Sequence, residues 1–320
     1  MLALAGVGFA ASRSLGSSSV KGKTVVLVDG APSDPYIAAF NRIYTEALTS
    51  QGVKVSTLSN NFDATVEEQK LNEAISLHPS LIAVGVQDPV AVAVEFAAAK
   101  AAGIKVVIVV NPADAAAVKL SDGEFVDNNP LLGKFAAINL QQGLAKIGVK
   151  SGRVVVITGS AGQLTTQERL TAFTQQLATT PGFKIVSVQD GEWDPVLTAT
   201  IASQLFAKYR GSGGIQAAYG MADLQAAAIA TTAQKAGLPV GVKAHGMIIS
   251  GSNCGPVGIK AIRAGTLYGG ATQAPTVGAA KEAQLTLEVL RGQKTPKIVL
   301  LPEARITAAN VNKYAGVCTY

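Results

Sequence analysis

VVLVDGAPSDPYIAAF, residues 25–40, runs from an apolar stretch through a Gly/Pro/Ser turn to an Asp34-Pro35 pair that opens a helical pattern. Asp is a favoured helix N-cap and Pro suits the first helical position. The pair therefore marks a helix start with free N–H groups and the positive end of the helix dipole. The device recurs: Asp88-Pro89, Asn129-Pro130, Asp194-Pro195 and Ala274-Pro275 each put a proline at the head of an apolar-periodic segment. Outward from the quoted stretch, strand and helix patterns alternate. The first half predicts strands at 24–28, 54–58, 81–86 and 106–110, with helices at 36–50, 65–77 and 89–102. The second predicts helices at 130–147, 165–178, 195–209 and 223–236, with strands at 153–158, 184–188, 217–219 and 242–249. A strand at 268–271, a helix at 277–290 and a strand-like run at 297–301 follow. Such alternation predicts an α/β fold of two doubly wound parallel-sheet domains. Ligands of open α/β sheets bind beyond the carboxyl ends of the strands, so two facing rims of capped helix starts make a cleft.

The 320 residues, 48% hydrophobic and 15% charged, suffice for two packed cores and exclude a disordered chain. Lys and Arg number 27 against 21 Asp and Glu, without a basic tract, so no nucleic-acid partner is expected. Leu2–Ser12 is an apolar run too short to span a bilayer, where about 20 apolar residues are needed. It fits the core of an export signal, clipped or mis-started, better than a disordered tail, and an extracytoplasmic location is expected. Two cysteines, Cys254 and Cys318, are too few for a disulfide framework and wrongly spaced for zinc. One staple tying the C-terminal segment to the body and two free thiols both remain open.

Catalytic apparatus is missing from the pattern. Gly159-Ser160-Ala161-Gly162 follows a strand but lacks the rest of a dinucleotide fingerprint, and no phosphate-binding loop occurs, so no cofactor is expected. His78 precedes a strand and His245 falls inside a strand pattern, and both read as structural. No nucleophile elbow or metal-binding helix motif is present, so the chain is expected not to be an enzyme and to hold no metal. Tyr36 and Trp193 stand beside capped helix starts; each reads equally as a core aromatic or as a ring stacking on the C–H face of a sugar. Arg169, one turn into a helix near a strand's carboxyl end, reads as a surface charge or as a forked donor to a ligand.

From about Lys23 to about Thr307 the chain resembles the type I periplasmic binding proteins of the ribose-binding kind. The segments that carry the resemblance are Ser33-Asp34-Pro35-Tyr36-Ile37, Ala101–Val107, Asn128-Asn129 with Gly133, and Gly162 with Glu168, Arg169 and Phe173. Gly251-Ser252-Asn253 with Ala261–Gly265, and Ala271–Pro275, complete it. The resemblance implies ligand contacts from Asp34, Tyr36, Asn111, Arg169, Trp193, Asn253 and Gln273. It also implies a monomer that closes on a small sugar or polyol and delivers it to the membrane permease of an ABC importer. Three crossings, near Asn128, Gln273 and Pro302, would join an N-terminal domain (24–128 plus 274–302) to a C-terminal one (129–273 plus 303–320), with 1–23 as signal remnant or tail. Asn111 and Asn253 stand where the family often has acids, so ribose itself is not implied. A receptor signalling to a membrane kinase fits the same pattern. A repressor needs an N-terminal helix-turn-helix, which the apolar and Ser/Gly-rich residues before Thr24 do not supply.

Overall fold

The computed structural model describes residues 19–320, so the expected export signal at Leu2–Ser12 lies outside the described residues. Strands β1 (Thr24–Asp29), β2 (Lys54–Ser59), β3 (Leu81–Val84), β4 (Lys105–Val110) and β5 (Gly123–Asp127) alternate with helices α1 (Pro35–Thr49), α2 (Ala64–Ser76), α3 (Ala93–Ala101) and α4 (Ala115–Leu120). Helices α5 (Asn129–Lys146), α6 (Leu164–Leu177), α7 (Pro195–Tyr209), α8 (Asp223–Lys235) and α9 (Pro256–Arg263) then alternate with β6 (Gly152–Thr158), β7 (Phe183–Asp190), β8 (Ala217–Gly220), β9 (Ile248–Ser250) and β10 (Gly269–Ala271). Helix α10 (Pro275–Leu290), β11 (Ile298–Leu301), β12 (Arg305–Thr307) and α11 (Val311–Tyr314) end the chain.

The two six-stranded sheets run in the same order, β2-β1-β3-β4-β5-β11 and β7-β6-β8-β9-β10-β12. All pairings are parallel except β10 with β12. Parallel strands covered on both faces must be apolar on both, and Val25, Val26, Leu27 and Val28 of β1 are all buried. Leu27 and Val25 pack under α1, which buries Ile37, Phe40, Tyr44 and Leu48 at helical spacing, while Val26 and Val28 face Leu71 and Phe96 on the other side. The Tyr44 hydroxyl is paired with Thr286 Oγ1 at 2.8 Å, joining α1 to α10. The chain therefore passes between the sheets three times: from β5 to α5, from β10 to α10, and from β11 to β12. Among the described residues no helix is long and apolar enough to cross a membrane.

Three expectations need correcting. The strand expected at 242–249 is only Ile248–Ser250, because a turn through Gly241 and Gly246 interrupts the run, and His245 lies in that turn rather than in a strand. Pro89 does not start a helix: Asp88 Oδ1 accepts the N–H groups of Val90 and Ala91 in a turn, and α3 begins at Ala93. Helix α4 and strand β5 were not read from the sequence at all. The acids Glu124 and Asp127 break the apolar signal of β5, yet both are buried, Glu124 accepting the Ala113 N–H at 2.9 Å. Cys254 and Cys318 are joined in a disulfide, the first of the two alternatives left open by the sequence.

Candidate functional site

The helix starts that the sequence marked converge. Asp34 Oδ1 caps α1 through the N–H groups of Tyr36 and Ile37, and Asp194 caps α7 through those of Val196 and Leu197. Between the sheets, at the carboxyl ends of their strands, lies a cleft of about 450 Å³ counted to its open mouth. Asp34, Tyr36, Asn111, Arg169, Trp193, Asn253 and Gln273 all line it, together with Phe62, Val110 and Thr165.

The floor of the cleft is a polar network that laces the three crossings. Asp127, at the end of β5, accepts from the Tyr36 hydroxyl at 3.1 Å and from Gln273 Nε2. Gln273 Oε1 accepts from Arg169 Nη2 at 2.9 Å, while Arg169 Nε donates to Asn129 Oδ1 at 2.9 Å and Nη1 to the Met221 carbonyl at 3.3 Å. Thr272 donates to Glu303 Oε2 at 2.9 Å, and its Oγ1 accepts from the Ala304 N–H at 2.7 Å. Burial raises the Asp127 carboxyl, with Gln273, Arg169 and Tyr36 pulling it back down. Burial, followed by the charge of Asp127, pushes Glu303 up to about 9, and the two carboxyls lie within hydrogen-bonding reach of each other. Arg169 is thus spent on the protein. It is 2% exposed and stands neither as a surface charge nor as a free fork, and it has an acid beside it that the sequence did not reveal.

Above the floor the residues are less committed. Asn111 Oδ1 accepts from Thr165 Oγ1 at 3.0 Å and Asn253 Oδ1 from the Asp223 N–H at 2.6 Å, which leaves both amide NH2 groups as donors. Asn111 is turned into the cleft by Val110, whose φ of 60° is a strained conformation for a β-branched residue. That strain is held by the Val110 N–H donating to the buried Glu282 at 3.1 Å.

Two rings enter from opposite sheets by the same device. The loops after β2 and β7 each place two consecutive residues at positive φ, Asn61 and Phe62 in one, Glu192 and Trp193 in the other. An Asp cap follows each pair, Asp63 and Asp194. Each ring lies over a glycine at the end of the neighbouring strand. A Cβ on Gly30 would fall 2.3 Å from Phe62, and one on Gly159 would fall 1.9 Å from Trp193. The glycine loop at 159–162 is therefore a seat for Trp193, whose ring also faces the Arg169 guanidinium at 5.6 Å. Trp193 Nε1 donates to Gln163 Oε1 at 2.7 Å, and Gln163 Nε2 donates across the cleft to Gln87 Oε1. Phe62, Thr165, Gln87, Gln163 and Asp127 were not singled out from the sequence. The Asn60-Asn61-Phe62-Asp63 stretch carried a usable signal, since Asn tolerates positive φ just ahead of an Asp cap.

Several solved structures share this fold. An ABC transporter periplasmic solute-binding protein from Actinobacillus succinogenes, with bound D-allose, has a TM-score of 0.79 at 18% identity, covering 91% of this chain and 100% of its own. An ABC transporter solute-binding protein from Burkholderia graminis in complex with D-arabinose has a TM-score of 0.81 at 20% identity, covering 93% and 99%. One from Bacillus halodurans with bound myo-inositol has a TM-score of 0.81 at 15% identity, covering 93% and 98%. No curated protein matches this chain. The periplasmic binding protein domain family matches residues 25–294, so with its two like-ordered sheets and the cleft between them this chain belongs to that family.

Proposed function

We propose that this chain is an extracytoplasmic solute-binding protein of an ABC importer, closing on a small neutral sugar or sugar alcohol and passing it to a membrane permease without chemical turnover. The observation that carries the reading is the cleft itself, where two rings, Phe62 and Trp193, and two amide NH2 groups, from Asn111 and Asn253, surround one cavity. Rings suit the C–H faces of a sugar, and amides suit its hydroxyl and ring oxygens. The mouth carries Asp34, Asp63, Asp190, Glu192 and Asp194, an excess of negative charge that disfavours an anionic sugar acid. Arg169 does not offset this, because Asn129, Gln273 and the Met221 carbonyl take its N–H groups and it is turned away from the mouth. The three crossings laced by Asp127, Gln273, Thr272 and Glu303 serve as the hinge between residues 24–128 plus 274–302 and residues 129–273 plus 303–320. The sugars and cyclitol bound by the similar structures set the panel for the test.

A thermal-shift series with D-allose, D-arabinose, myo-inositol and further pentoses, hexoses and sugar alcohols should give at least one clear rise in melting temperature. A ligand at about 100 times its dissociation constant adds roughly 2.7 kcal/mol to stability. No shift with any neutral polyol, or conversion of the compound that binds, sinks the proposal.

A further inference from the structure

Gln163 occupies the N-cap position of α6, yet its side chain makes no cap hydrogen bond. It is spent on two other contacts, accepting from Trp193 Nε1 at 2.7 Å and donating to Gln87 Oε1 on the opposite side of the cleft. Both glutamines are buried, Gln163 at 2% and Gln87 at 4% exposure, so this pair is not an incidental surface contact. The Gln87 end is anchored in turn. Buried Glu67, on α2, accepts the N–H groups of Gln87 at 2.8 Å and Asp88 at 3.0 Å, and Gln87 Nε2 donates to the Gly85 carbonyl at 3.0 Å. An unbroken chain therefore leads from α2, through the loop after β3, across the cleft and onto the indole of Trp193. Trp193 itself sits at a positive φ of 61° with its ring on the Gly159 seat, and Gln163 holds its indole N–H.

We propose that the Gln87–Gln163 pair is a closure latch, and that Gln163 is a positioning residue which couples the meeting of the two domains to the orientation of the Trp193 ring. This rests on the reading of the cleft as a binding site for a neutral polyol. When the domains separate, Gln163 loses its donor contact and is free to rotate, and Trp193 loses its fixed acceptor. When they meet, Gln87 fixes Gln163, and Gln163 fixes the indole edge so that its face is presented to the cavity. A ligand is then released only after the latch opens, so the pair governs residence time more than the rate of capture.

The test uses Gln87→Leu, with Gln87→Ala as a second, smaller variant; both keep the backbone N–H that Glu67 accepts. Neither change touches Trp193, the only tryptophan of the chain. The first arm needs no sugar: acrylamide quenching and emission maximum of Trp193 in each variant and in Gln163→Leu. If the latch exists, both Gln87 variants raise the quenching constant in the same direction as Gln163→Leu. If Gln163 merely packs against Trp193 within its own domain, only Gln163→Leu moves the signal, and that result overturns the proposal. The second arm follows Trp193 emission in stopped flow with D-arabinose, D-allose and myo-inositol as probes. Dissociation should be about five- to tenfold faster in Gln87→Leu, with association changed by less than about twofold. Unchanged dissociation of a probe that binds the parent also overturns it. If none of the three probes binds the parent, the polyol reading is decided by the wider thermal-shift panel and the quenching arm still decides the latch.

Discussion

Removing Arg169 should cost the protein its fold stability before it costs ligand contacts. The side chain is 2% exposed and makes three hydrogen bonds, to Asn129, Gln273 and the Met221 carbonyl. Each hydrogen bond to a charged group is worth roughly 1.5–3 kcal/mol, but the three share one network and do not add. A firmer figure comes from Asp127, whose charge Arg169 favours. Stripping one member from a buried charge pair costs about 3–5 kcal/mol. At about 2–4 °C per kcal/mol for domains of this size, Arg169→Leu should lower the melting temperature by about 6–20 °C. The sign with pH follows from Asp127. Its native carboxyl is already raised by burial, and losing Arg169 raises it further, so the native variant holds a proton that the unfolded chain has released above about pH 4. The unfolded chain titrates alike in both proteins, so the deficit relative to the parent should widen only as pH rises from the parent's native value of Asp127 towards the higher value of the variant, and be smallest in acid. Melts by circular dichroism between about pH 4.5 and 8.5 measure both effects. A loss below about 1 kcal/mol, within reach of an ordinary surface charge, refutes the buried-network account, as does a large loss that does not vary with pH.

The parent chain has its own pH dependence. Burial pushes Asp29 up to about 7 and Glu67 up to about 8, and Glu303 stands at about 9, so each keeps a proton in the native state that its unfolded carboxyl loses near pH 4. Their contribution is complete below that value and lost as pH rises through 7 to 9; the melting temperature should be higher at about pH 5.5 than at about pH 8.5, and Asp29→Asn should flatten the part of the slope below 7. The Cys254–Cys318 bond spans a sequence separation of 64 residues, worth about 4 kcal/mol in the chain-entropy account. Thiol titration of the unfolded, unreduced protein should find no free thiol, and Cys318→Ser should melt lower than the parent; two titratable thiols would contradict the bridge.

What could be read from the sequence was what local chemistry dictates. Asp34-Pro35 and Asp194-Pro195 announced helix starts because capping and proline geometry act within four residues. Starts at strand carboxyl ends in an α/β chain have one place to converge, which is how Tyr36, Trp193, Asn111 and Asn253 come to share a cleft. Arg169 does line the cleft, but its environment was not legible in the sequence. Its partners Asn129, Met221 and Gln273 lie 40, 52 and 104 residues away in the chain, beyond the reach of any periodicity. Gln87 and Gln163 are equally silent in sequence, since glutamine suits a solvated helix face as well as a buried bridge. Phe62 was passed over because an aromatic at positive φ obeys no strand or helix pattern, and β5 because its two acids point to a surface that it does not have.

The order in which the chain leaves the ribosome bears on the three crossings. The first sheet is short of its edge strand β11 and of the helix α10 that covers Phe40 and Tyr44 until residue 301 has been made. By then nearly all of the second sheet already exists, and it in turn waits for β12. Neither half can finish until nearly all of the other has been made, so the nascent chain keeps an open β5 edge and an uncovered α1 face through most of synthesis. Cys318 arrives at Cys254 only after both sheets are complete, so the bridge fastens a fold that already exists rather than directing its assembly.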